Sequence, residues 1–196
     1  MRRREFLPLL AFAPALLGSS PVFGERGAPG TSLAAPDSTA MAADSSATLS
    51  QDPIRREIEA AYARMAAAYE EKDAEAFMAD MTLDFKAKSK RGRVADRYDA
   101  EAGIRRRLDR SKSVEDFVIR IREFAVNGDS ALAVTSQDVS RVVVDAEGKE
   151  HAAVTRDVRT RDTWTRTGAS WKLARIEEID PGEETLDGEP VERRKP

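Results

Sequence analysis

The chain has 196 residues, 41% of them hydrophobic and 34% charged, with a formal net charge of −3. That length is one domain plus extensions, and the balance of charge excludes a globally basic nucleic-acid binder. With no cysteine and a single histidine, disulfides, thiolate zinc sites, a cysteine nucleophile and a histidine-rich metal site are excluded, and no metal or cofactor is expected.

The N-terminus reads as a targeting segment. Arg2, Arg3 and Arg4 precede an apolar run from Leu7 to Leu17, far short of the roughly 20 residues that span a bilayer. Residues 1–24 are therefore expected to be a signal peptide cleaved after Gly24. Arg3-Arg4-Glu5-Phe6-Leu7 resembles the twin-arginine export consensus, with a general secretory signal as the alternative. The expected location is periplasmic or secreted, with membrane contact only through the uncleaved signal. Residues 25–51 are poor in aromatic and apolar side chains, which predicts a disordered linker.

The domain is expected over 52–180. Asp52 suits an N-cap and Pro53 the first helical position. Ile54, Ile58, Ala61, Tyr62, Met65 and Tyr69 then recur with helical spacing. Asp73 opens a short second helix that buries Phe77, Met78 and Met81. Leu83 to Ala87 alternates like a strand. Residues 86–112 carry 11 Lys or Arg against 4 acids; a loop around Gly92 and a third helix from Asp99 to Arg110 are expected there. Tyr98 is the one aromatic in the run, which argues against single-stranded nucleic acid.

Strands follow. Val114 to Val126 and Ala131 to Val144 flank Asn127-Gly128-Asp129, a strong hairpin signal. Asp145 to Lys149 turns into a second hairpin, 150–167 and 171–179, joined at Gly168-Ala169-Ser170 and rich in β-branched and aromatic residues. The acidic segment 181–196 has little to bury and is expected to be disordered. Helices first and a meander of long strands after them predict an α+β domain, with helices packed on a strongly curved antiparallel sheet.

Three motifs carry a family resemblance. Tyr69-Glu70-Glu71-Lys72-Asp73-Ala74-Glu75-Ala76-Phe77 is similar to a helix junction of the SnoaL-like, nuclear transport factor 2-like superfamily. Asn127-Gly128-Asp129-Ser130-Ala131-Leu132-Ala133-Val134 resembles its internal hairpin. Asp162-Thr163-Trp164, followed by Thr167-Gly168-Ala169-Ser170-Trp171-Lys172-Leu173, resembles its final one. The resemblance spans roughly residues 52–180 and implies a cone-like, cystatin-type α+β roll enclosing a pocket. The basic stretch 86–112 departs from the family's more apolar usual segment. Members include isomerases, dehydratases, epoxide hydrolases, polyketide cyclases and proteins that only bind or dimerise, so the fold does not give the function. The expectation is a small-molecule-binding domain, with or without catalysis; the alternative is a non-catalytic dimerisation or protein-interaction module. A homodimer is the expected assembly, with no nucleic-acid partner.

Candidate residues follow from the alternation of the strand 150–167. Val154, Arg156, Val158, Thr160, Asp162 and Trp164 share one face in a regular strand, mixing apolar and charged groups as a pocket wall does. Asp138, Arg156 and Asp162 are thus candidates for an Asp–Arg–Asp arrangement that orients a water, as the resemblance to epoxide hydrolases implies; cross-strand ion pairs are the competing reading. Tyr62, Tyr69 and Trp164 are candidate ligand contacts, with ordinary core packing as the alternative. A Tyr paired with a neutral acid would donate to an oxyanion, but no acid at matching spacing stands out. His151, two residues beyond a turn, reads as a solvent-exposed strand start.

Overall fold

The first helix of the domain presents its apolar stripe to the concave face of a single sheet. The computed structural model describes the backbone of residues 44–191 and the side chains of 52–191; the expected signal peptide and residues 25–43 of the expected linker lie outside them. Helix α1 spans Asp44–Glu70 and α2 spans Ala74–Met78. Strand β1 is Met81–Lys88 and β2 is Val94–Asp96. Helix α3 is Arg97–Arg110. The long strands are β3, Ser111–Asn127, β4, Ser130–Val144, β5, Glu150–Thr167, and β6, Ser170–Asp180. Two short strands close the fold, β7 at Glu183–Leu186 and β8 at Glu189–Pro190. The strand order is β2-β1-β6-β5-β4-β3, with β7 beside β5 and β8 beside β7. Among the described strands only β1 and β6 pair in parallel.

Of the expected stripe on α1, Ile58, Ala61, Tyr62, Met65 and Tyr69 lie in the core and Ile54 packs against it partly buried, while Ala68 joins the core beside them; each large apolar side chain contributes about 1.5–3 kcal/mol. The start of α1 differs from the expectation. The helix runs through 44–51, so Asp52 is not its N-cap and Pro53 sits inside it. Proline's fixed φ is helical, but inside the helix its nitrogen donates no backbone bond and its ring crowds the carbonyl four residues back. At the other end Lys72 turns left-handed (φ 61) and the Asp73 N–H returns to the Ala68 carbonyl. The Asp73 carboxylate then accepts from the Ala76 N–H at 2.9 Å and caps α2. Asp96 caps α3 in the same way through the Asp99 N–H.

Two features depart from the sequence reading. The first is a bulge in β5. Gln137 pairs with Val158, but Val139 pairs with Thr155, so two residues, Arg156 and Asp157, stand opposite Asp138. Asp157 takes a positive φ of 50°, and its N–H donates to the Asp138 carboxylate at 2.9 Å. The extra residue reverses the alternation: Ala153 and Thr155 face the core before the bulge, and Val158, Thr160, Asp162 and Trp164 face it after. Arg156 points outward, contrary to the regular-strand expectation.

The second is the C-terminal segment. Residues 183–190 form strands rather than a disordered tail. Strand β5 has 18 residues and β6 only 11; β6 covers β5 from Arg159 onward, and β7 covers the uncovered part from Ala153 to Arg156. Backbone pairing, not apolar content, places it there. Gly182 permits the turn: its φ is 64°, and a Cβ on it would lie 2.1 Å from the Arg156 carbonyl oxygen. β7 also carries Glu184, buried against Arg141 of β4 with 3.7 Å between charged atoms.

Four of the cations between Lys86 and Lys112 are tied into the fold by their side chains. The Arg97 guanidinium donates to the carbonyls of Met81 and Thr82. Arg105 pairs with Glu101, Lys88 with Glu177 and Lys112 with Glu150.

Candidate functional site

The interior of the fold holds a cavity between α1, α2, α3 and the sheet. Tyr62, Met65, Tyr69, Phe77, Met78, Met81, Phe85, Ile104, Phe117, Gln137, Asp162 and Ile176 are among its lining residues. Its wall is almost wholly apolar, interrupted by one carboxylate, one amide and two phenols. The cavity is about 30 Å³, room for roughly two waters. A drug-sized ligand occupies several hundred Å³, so the lining must move to admit one. Met65, Met78 and Met81 supply unbranched, adaptable side chains for that.

Asp162 is the polar centre. The post-bulge alternation of β5 turns it inward, where it is wholly buried. Tyr62 Oη donates to Asp162 Oδ2 at 2.6 Å. Trp164 Nε1 donates in turn to Tyr62 Oη at 2.9 Å, and the two rings meet edge to face at 5.0 Å between centroids. Thr135 Oγ1 donates to the same carboxylate oxygen at 3.5 Å and lies 2.8 Å from Thr160 Oγ1. Gln137 Nε2 donates to Thr160 Oγ1 at 3.4 Å. All of this reaches Oδ2. The other oxygen, Oδ1, is buried without a protein partner.

The electrostatics follow from this setting. Burial pushes the Asp162 carboxyl up to about 6, against the opposing hydrogen bonds from Tyr62, Thr160 and Thr135. Burial and the nearby carboxylate together hold the Tyr62 phenol well above its ordinary value. The result is a carboxyl that exchanges its proton near neutral pH beside a phenol that keeps its own.

The expected Asp–Arg–Asp arrangement does not form. Asp138 lies on the opposite face of the sheet, where Arg120 pairs with it at 2.7 Å; that guanidinium and the Asp157 N–H hold its carboxyl below the usual range despite partial burial. Arg156 is exposed and reaches Ser140 Oγ at 3.4 Å. Of the three, Asp162 alone faces the cavity. Tyr62 and Tyr69 both line it, and Trp164 lies directly behind Tyr62. The acid partner that sequence spacing did not reveal for Tyr62 is Asp162, 100 residues further along the chain. Thr160 lies on the mixed face that alternation marks, whereas Thr135 and Gln137 carry no signal in the sequence except alternation on β4.

His151 is not the solvent-exposed strand start expected of it. Its ring is 13% exposed and lies between two carboxylates, Nδ1 2.7 Å from Asp187 and Nε2 3.3 Å from Asp145. It fastens the β7–β8 turn to the β4–β5 turn, away from the cavity lining. Among the described residues no group of three or more His, Cys, Asp or Glu side chains is placed to hold a metal ion.

Comparison with known proteins agrees with this architecture. The chain is similar to a protein from Novosphingobium aromaticivorans provisionally named a scytalone dehydratase, with 14% identity over 76% of this chain and 99% of that one and a TM-score of 0.62. It is also similar to a conserved protein from Planctomyces limnophilus, with 13% identity, 71% and 99% coverage and a TM-score of 0.56. A nuclear transport factor 2-like superfamily protein from Salmonella enterica shares 13% identity, with 67% and 94% coverage and a TM-score of 0.51. At such identities the likeness is one of fold. No curated protein matches the chain. The profile of the SnoaL-like domain matches residues 53–177, which takes in α1 and the strands that carry Asp162, and the chain accordingly belongs to the SnoaL-like domain family.

Proposed function

We propose that this domain binds a small, mostly apolar molecule in its interior cavity and that Asp162, with Tyr62, moves a proton on it. One observation carries the reading: Asp162 lines the cavity, and its Oδ1 is buried with no protein partner while Oδ2 is held by Tyr62. An orphaned carboxylate oxygen in an apolar interior is costly to the fold, and a ligand hydroxyl, or an acidic C–H beside a carbonyl, would satisfy it. A carboxyl titrating near 6 can serve as base above that pH and acid below it. The Trp164–Tyr62 chain commits the phenol's one proton to Oδ2 and leaves Oδ1 to take or give a proton on the ligand. Isomerisation, dehydration and hydrolysis all need this combination, and the provisional dehydratase name of one similar structure points the same way.

The test is turnover of a panel of enones, β-hydroxy ketones and epoxides by wild type, Asp162→Asn and Tyr62→Phe. At least one class should be converted, and Asp162→Asn should slow it by about 100-fold or more, the worth of general acid–base catalysis. Equal rates in wild type and Asp162→Asn would remove the carboxylate from the chemistry.

Export to the periplasm or beyond is part of the same proposal, supported by the basic start and the short apolar run. A fusion lacking residues 1–24 should stay in the cytoplasm. The non-catalytic alternative rests on Leu132 and Val144, exposed on the sheet face away from the helices. Sedimentation of wild type and Leu132→Glu checks whether that face joins two copies.

A further inference from the structure

The cavity has a second polar pole that the proton-transfer reading does not use. Tyr69 follows Tyr62 by seven residues, two turns of the same α1 face, which sets their backbones about 10 Å apart along the helix axis. Its ring is 1% exposed, lines the cavity and is fixed between Phe77 and Phe117, at 5.6 and 4.9 Å between centroids. Its hydroxyl is buried and has no protein partner. For packing alone a phenylalanine would serve better, since a buried hydroxyl without a partner is destabilising.

Arg141 explains which way that hydroxyl works. It lies on the inner face of β4, two residues beyond Val139, and is buried. Its contact with Glu184 is 3.7 Å, too long for a hydrogen bond, and its Nε has no protein partner. It is close enough to Tyr69 for the two to interact electrostatically. A cation near a phenol favours the hydroxyl as donor, so the complementary ligand group is an acceptor. The Asp162 pole, with its orphaned carboxylate oxygen, favours a ligand donor.

We infer that Tyr69 forms a second subsite, recognising a carbonyl oxygen at the far end of a ligand whose hydroxyl faces Asp162. The inference rests on the reading of the cavity as a ligand site. It names the ligand class: a flat or narrow apolar body with a hydroxyl at one end and a ketone, aldehyde or ester oxygen at the other.

The matched probes are 4-hydroxyacetophenone and 4-isopropylphenol, which have similar shapes and differ in the carbonyl oxygen. Binding is followed by NMR titration of the Trp164 indole N–H, whose acceptor is Tyr62. Wild type should bind the ketone about fivefold more tightly, the worth of one hydrogen bond, although the alkyl probe is the more hydrophobic. In Tyr69→Phe the two should bind within a factor of two of each other. Tyr69→Phe should also melt at the same or a higher temperature, because the hydroxyl it loses has no structural partner. An unchanged preference in Tyr69→Phe, or a melting temperature lowered by more than about 3 °C, overturns the subsite and leaves the cavity reading standing. Failure of both probes to bind wild type overturns the cavity reading and this inference with it.

Discussion

Replacing Asp162 by asparagine should change how the stability of this protein depends on pH. The carboxyl goes from 3.8 in the unfolded chain to about 6 in the folded one, because burial disfavours its charge. The folded state therefore holds a proton that the unfolded state has released at every pH between those values. Stability from this group is fully present below about pH 4, falls as pH rises, and levels off above about pH 6. At about 1.4 kcal/mol per pH unit, that is a loss of about 3 kcal/mol across the window. Asparagine keeps the shape and an oxygen for Tyr62 but cannot ionise. Urea unfolding at pH 4, 5, 6 and 7 should show the wild-type stability falling relative to Asp162→Asn by about 2.4 kcal/mol between the ends of the series, since part of the loss has already occurred at pH 4. Other titrating groups cancel in that difference, and so does any fixed cost of burying the new amide. Curves that stay parallel from pH 4 to 7 would refute the burial of an ionisable Asp162, and with it the argument for a proton-exchanging carboxyl at the cavity.

Three further outcomes test other parts of the fold. His151 is held above its ordinary value by hydrogen bonds to Asp187 and Asp145, so its ring protons, unique in this one-histidine chain, should titrate above pH 6.5 by NMR; its stabilisation of the β7–β8 turn is present below pH 6.5 and lost as pH rises through the raised value, and titration at or below 6.5 would contradict the double ion pair. Arg141→Met should cost about 3–5 kcal/mol by denaturant unfolding because it strands the buried Glu184 charge, while Arg141→Met with Glu184→Met should recover most of the loss. Gly182→Ala should cost more than about 2 kcal/mol, since the new Cβ meets the Arg156 carbonyl in a backbone conformation that favours glycine; a wild-type unfolding midpoint would show that β7 does not turn back onto β5.

Much of this fold is legible from local chemistry. The α1 stripe, the Asp73 cap, the Asn127-Gly128-Asp129 turn and the paired long strands each announce themselves within a few residues, because propensity, capping and turn geometry are local. What was not legible depends on partners far along the chain. β7 has an acidic, unremarkable sequence and exists because β5 outruns β6 and leaves backbone donors and acceptors to be paired. The last residues of the expected linker, 44–51, continue α1 through Pro53, where proline reads as a start signal but its φ is equally helical.

The site shows the same division in sharper form. Alternation along β5 correctly grouped Thr160, Asp162 and Trp164, because they lie on one side of the bulge. It failed at Arg156, because one residue of register separates the two halves of the strand and nothing in the local sequence marks it. The bulge is written partly on another strand: Asp138 of β4 accepts the Asp157 N–H and so holds open the extra residue. In the sequence Asp138 reads as a chemical partner of Asp162. Its actual connection to Asp162 is conformational, since the register it helps to set is what turns Asp162, rather than Arg161, toward Tyr62. A residue outside the cavity thus decides which carboxylate or guanidinium enters it.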